Sequence, residues 1–103
     1  MEAIEVRESK IYIAGPMSGY ENDNRDKFNL VAENLKSQGH IVLNPAILPA
    51  GLTQPEYMDI CCAMLRSSTA ILMLENWTES EGASAEYHLA KKLGKKMLLR
   101  VAF

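Results

Sequence analysis

Glu86 stands where a helix should be apolar. The stretch Asn76 to Glu86 follows an apolar run, Ala70 to Leu74, and leads into a helix on which Ala90 and Leu93 recur at helical spacing. Burying an unpaired carboxylate is costly, so such a residue is exposed, paired or functional. The plain alternative is a solvated glutamate favoured by the helix dipole. Gly82, Ala83, Ser84 and Ala85 leave room for something to approach. A second carboxylate, Asp59, lies on the preceding helix, where Glu56, Ala63 and Arg66 share its phase and equally suit a solvated face. Two carboxylates at one site suit glycosidic chemistry. One traps or stabilises an oxocarbenium-like centre while another group handles the leaving-group proton.

The other reactive side chains are less informative. Ser80 sits at a helix N-cap, where its hydroxyl either caps the helix or meets a phosphate beside free backbone N–H groups. Trp77 either stacks on a base or covers the sheet end. His40 and His88 are isolated and lack metal-ligand spacing, so no metal site is expected. Cys61 and Cys62 are adjacent, a poor disulfide geometry without zinc-site spacing, and read as small apolar residues. No Ser-His-Asp arrangement is visible. Gly15-Pro16-Met17-Ser18-Gly19 has the spacing of neither a dinucleotide fingerprint nor a phosphate-binding P-loop. Its glycines permit close backbone approach to a ligand, although Gly-Pro after a strand is also ordinary turn chemistry.

These residues need elements to position them. Lys10-Ile11-Tyr12-Ile13-Ala14 is apolar on both faces, as a central parallel strand is. Asn22, Asp23 and Asn24 offer a cap for a helix carrying Phe28, Val31, Ala32 and Leu35, which Gly39 stops. His40 to Leu43 is a short second strand closed by Asn44-Pro45. Thr53-Gln54-Pro55-Glu56 fits a capping box with an early proline, opening a helix to about Ser67 that carries Tyr57, Cys61, Met64 and Leu65. Ala70 to Leu74 is the third strand, the Glu86 helix runs to about Leu93, and Lys96 to Val101 is the fourth strand. The order β-α-β-α-β-α-β predicts a small parallel sheet of four strands, or five, in a three-layer α/β sandwich. Ligands of such folds sit beyond the carboxyl ends of the strands. That rule points to residues 15–24, 44–54, 75–82 and whatever follows 101. Residues 1–8 read as a frayed start and 9–103 as one domain.

Composition narrows the partners. A chain of 103 residues with 48% hydrophobic residues supplies a real core. A net charge of −2 gives no basis for binding a nucleic acid polymer or an anionic membrane. No apolar run is long enough to span a bilayer, and the acidic start Met1-Glu2-Ala3-Ile4-Glu5 lacks a signal-peptide core. A cytoplasmic location follows as the default. An exposed sheet edge or apolar helix face favours a homodimer or larger homo-oligomer.

The sequence resembles the nucleoside 2-deoxyribosyltransferase superfamily, and within it a branch of small bacterial and phage proteins. The matching pieces are Ile11 to Gly19, Asn44-Pro45-Ala46, Tyr57-Met58-Asp59, the Ala70–Leu74 strand with Trp77, and Ser80 to Glu86. They follow the family order across nearly the whole domain. The resemblance implies a flavodoxin-like sandwich that acts on N-glycosidic bonds of 2′-deoxynucleosides or their 5′-monophosphates, with no metal or organic cofactor. It implies that Glu86 is the nucleophile at C1′, that Asp59 serves the departing base and that Tyr12 lines the sugar pocket. Gly15, Pro16, Met17, Ser18, Gly19, Asn44, Trp77, Ser80 and Gly82 become candidate substrate contacts. The position six before the nucleophile is a carboxylate in the transferase branch. Here it is Ser80, similar to deoxynucleoside 5′-monophosphate N-hydrolases, in which a serine receives the phosphate. Those hydrolases often carry an arginine in the first loop, where this chain has Ser18. Relatives often add a strand or tail after the fourth strand that completes a neighbouring subunit's pocket. A nucleotide-binding or sensing module without catalysis is the alternative reading.

Overall fold

A computed structural model describes residues 9–99. The expected frayed residues 1–8, and everything expected of the chain after Leu99, lie outside the described residues. Four strands and three α-helices alternate: β1 (Lys10–Ala14), α1 (Arg25–Ser37), β2 (Ile41–Leu43), α2 (Gln54–Arg66), β3 (Ala70–Met73), α3 (Glu81–Lys92) and β4 (Lys96–Leu99). Every strand pair is parallel and the order is β2-β1-β3-β4. This is the flavodoxin-like arrangement, with β1 and β3 central.

The central strands are apolar on both sides because each side carries a helix layer. Alternate residues divide between two cores. Ile11, Ile13, Ala70 and Leu72 pack with Phe28, Val31, Ala32 and Leu35 of α1. Tyr12, Ala14, Ile71 and Met73 pack with Cys61 and Leu65 of α2 and with Ala83 and Ala90 of α3. α1 therefore covers one face, and α2 with α3 covers the other.

The helix starts follow local chemistry. Thr53 and Glu56 form the expected capping box on α2, with Pro55 in the first turn. Ser80 caps α3, its Oγ accepting from the Ala83 N–H at 3.1 Å. The start of α1 differs from expectation. Asn22, Asp23 and Asn24 all have left-handed backbone, and none gives the helix a side-chain cap. The side chains of Asn22 and Asn24 are spent elsewhere: Asn24 Nδ2 donates to the Pro16 carbonyl at 2.8 Å, and Asn22 Nδ2 to Asp26 at 3.5 Å. Asn and Asp tolerate this backbone region better than other L-residues do. The turn thus ties the first loop to the start of α1. Short 3-10 turns at Glu21–Asn24, Pro45–Ile47 and Trp77–Glu79 fill stretches that the periodicity leaves as loop. No helix among the described residues is long and apolar enough to cross a membrane.

Candidate functional site

β1 is the strand at which the order reverses. Its chain leaves towards β2, while the chain from β2 crosses to β3 on the other side of β1. The loops after β1 and β3 therefore diverge and leave a crevice at the carboxyl ends of these strands. A cleft of about 460 Å³ lies there. Its floor is Tyr12, Ala14, Ala83 and Glu86, and its walls include Gly15 to Ser18, the first turns of α2, and Glu79 to Gly82.

The floor holds a buried polar pair. Glu86 is only 6% exposed and Tyr12 only 1%. The Tyr12 hydroxyl donates to Glu86 Oε2 at 2.9 Å. Burial pushes the Glu86 carboxyl up from its ordinary 4.5 to about 7, against the opposing pull of the Tyr12 hydrogen bond. Burial, and then the neighbouring carboxylate, push the Tyr12 hydroxyl well above its ordinary value, so Tyr12 stays a donor. Glu86 Oε1 takes no hydrogen bond from a side chain or backbone group among the described residues. A carboxylate with one oxygen fixed and the other open to a cleft suits attack on, or stabilisation of, an electron-poor carbon.

The loops above this pair are held by specific contacts. Gly15 lies so close to β3 that a Cβ there would meet Leu74 Cβ at 2.9 Å, so only glycine lets the loop turn over the strand end. Met17 packs against the α1-side core. Gly82 leaves ordinary van der Waals space, its virtual Cβ lying 3.7 Å from Met58 Sδ.

Eight of the twelve candidate residues from the sequence line the cleft: Tyr12, Gly15, Pro16, Met17, Ser18, Ser80, Gly82 and Glu86. Four do not. Asn44 is buried but structural, its Oδ1 accepting from the Ala46 N–H and its Nδ2 donating to Asn29. Trp77 stacks on Tyr87 at 4.5 Å between ring centroids and packs against the α2/α3 core, so it covers the sheet end. Gly19 is exposed with φ +87° and forms part of the turn. Asp59 is exposed on α2. Gln54, Tyr57, Met58 and Cys61 of α2 line the cleft, at i, i+3, i+4 and i+7. At 100° per residue Asp59 projects roughly 150° away from that stripe. The α2 side chain on the cleft floor beside Tyr12 and Glu86 is Cys61, a buried thiol pushed up in pKa mainly by that burial.

Arg25, Asp23, Tyr20 and Tyr57 also line the cleft, although the sequence reading gave none of them a role at the site. Arg25 Nη1 donates to the carbonyls of Ala46 and Leu48, the latter at 2.9 Å, and its Nη2 lies 3.9 Å from Asp23. Tyr57 had a legible signal, because its helical phase matches Cys61. Arg25 had none, because the left-handed turn before it sets its direction.

The sequence matches no curated protein. Residues 9–99 match the family described as a domain of unknown function, DUF4406, and the chain belongs to that family.

Proposed function

We propose that this protein cleaves or exchanges the N-glycosidic bond of a 2′-deoxynucleoside or its 5′-monophosphate. One observation carries the reading: a nine-tenths buried glutamate, oriented by a tyrosine hydroxyl, on the floor of a cleft at the switch point of a parallel sheet. Glu86 Oε1 attacks C1′ as the C–N bond breaks, and the base leaves with that bond's electron pair and gains a proton from solvent. The Tyr12 hydroxyl holds Oε2 throughout, which keeps Oε1 aimed at the sugar. Water then hydrolyses the glycosyl ester and frees the carboxylate, or a second base displaces it and transfer results. Only the ionised carboxylate attacks, so activity rises with pH through about 7. The substrate is a small molecule, the chemistry needs no cofactor, and a homo-oligomer remains part of the reading.

The position of Asp59 favours a second reading. The α2 stripe at the cleft brings Cys61, and not a second carboxylate, to Glu86. A nucleotide-binding module of the same fold would keep the cleft without the group that serves the departing base. Incubation with a panel of deoxynucleosides and their monophosphates, followed by chromatography for free base, separates the two. Enzymatic function predicts base release that Glu86→Ala lowers by a factor of about 10³ or more. Base release equal in the variant and the wild type overturns the role of Glu86. Ligand-induced thermal stabilisation without base release supports the binding module.

A further inference from the structure

Ser80 is flanked at the cleft by two carboxylates, Glu79 at the end of the preceding turn and Glu81 at the first position of α3. Both are exposed. Glu81, in the first turn of α3, already complements the positive end of that helix. The Ser80 hydroxyl oxygen is already used by the Ala83 N–H. Arg25 is the one cationic side chain among the residues lining the cleft. Its side chain is 20% exposed, its Nη1 donates to the Ala46 and Leu48 carbonyls, and its Nη2 lies 3.9 Å from Asp23. One guanidinium nitrogen is thus spent on backbone carbonyls and the other is faced by a carboxylate, so Arg25 adds little uncompensated positive charge to the cleft. The buried Glu86 adds negative charge to the floor when ionised.

On the functional reading above, on which this inference rests, we infer that the cleft selects uncharged nucleosides and rejects their dianionic 5′-monophosphates, with Glu79 and Glu81 as the discriminating residues. A phosphate at Ser80 would meet the carboxylates of Glu79 and Glu81, and the one cation lining the cleft, Arg25, is already faced by Asp23. Like charges within one cleft repel even near the surface, and salt weakens the repulsion. An uncharged 5′-hydroxyl meets no such barrier and can donate to either carboxylate. The sequence alone leaves the phosphate open, because Ser80 suits either a helix cap or a phosphate. The side chains on either side of it decide between the two on charge.

Titration calorimetry tests this with the four common 2′-deoxynucleosides and their 5′-monophosphates at pH 8, where the phosphate is dianionic. In the wild type at low salt the best nucleoside should bind at least tenfold more tightly than its monophosphate. The ratio should shrink in 0.5 M salt. It should fall by roughly fivefold or more in a Glu79→Gln/Glu81→Gln variant whose thermal unfolding confirms the fold. Equal or tighter binding of the monophosphate overturns the inference, as does a ratio unmoved by the double substitution, or no binding of any of the eight compounds. Binding with the expected ratio but no base release leaves the charge selection standing and removes the enzymatic reading instead.

Discussion

The two faces of the sheet are built from alternate residues of the same strands, yet they do different work. Ile11 and Ile13 point into a core with α1 whose buried members are all apolar. Tyr12 and Ala14, their neighbours in sequence, point towards α2 and α3, and there Tyr12 meets the buried Glu86. The α1 face gains stability from apolar burial, and its cluster holds no ionisable side chain. The other face gives some of that up. A carboxyl whose pKa is raised by burial opposes folding whenever it is ionised. The difference separates a face of apolar packing from one that places a buried carboxyl on a cleft floor.

Substitutions can break this comparison, and the largest effect is expected on the packing face. Leu72→Ala should cost about 2–5 kcal/mol, read as a shift in the urea midpoint, because it empties space beside α1. A loss below about 1 kcal/mol would mean that this face is not the stabilising core. The site face should respond in the opposite sense. The folded pKa of Glu86 lies above its unfolded value, so the folded state holds the extra proton between pH 4.5 and about 7. Stability is then greatest below 4.5 and falls as pH rises through 7, by on the order of 3 kcal/mol. Glu86→Gln removes that penalty. Its melting temperature should exceed that of the wild type by roughly 10 °C at pH 8, with little gain at pH 5. Equal melting temperatures at pH 8 would show that the carboxyl is solvated in solution. The smallest effect sharpens the boundary between the faces. Gly15→Ala forces a methyl group against Leu74, which is fully buried, and should cost about 1–3 kcal/mol while shifting the loop over the cleft. Stability unchanged from wild type would mean that the loop yields freely.

Much of this architecture was legible in the sequence. The strands read clearly because parallel strands buried on both faces are continuous apolar runs, and Ala70–Met73 and Lys10–Ala14 are such runs. The start of α2 read clearly because Thr53, Pro55 and Glu56 each carry a local, short-range signal. Glu86 stood out because a charge broke an apolar stripe, and the structure buries it. Two matters were not legible. The left-handed run Asn22–Asn24 read as an ordinary helix cap, because Asn and Asp serve both purposes and only tertiary contacts decide. The position of Asp59 followed the resemblance, whereas its helical phase, shared with Glu56 and Arg66, had already suggested a solvated face. The cleft side of α2 was in plain view as Tyr57 and Cys61, grouped with Met64 and Leu65 as apolar positions without a chemical role.

The pairing of β1 with β3 also bears on how the chain is made. Ile11 pairs with Ala70, so the central strand waits for a partner some sixty residues further along. At ordinary rates of synthesis that interval is about 3–12 s. Throughout it the short, three-residue β2 is the one earlier strand among the described residues that pairs with the KIYIA segment. Contacts so distant in sequence slow folding and leave apolar strands open to wrong partners. The segment that carries Tyr12 to the cleft is therefore also the one most in need of protection as the chain emerges from the ribosome.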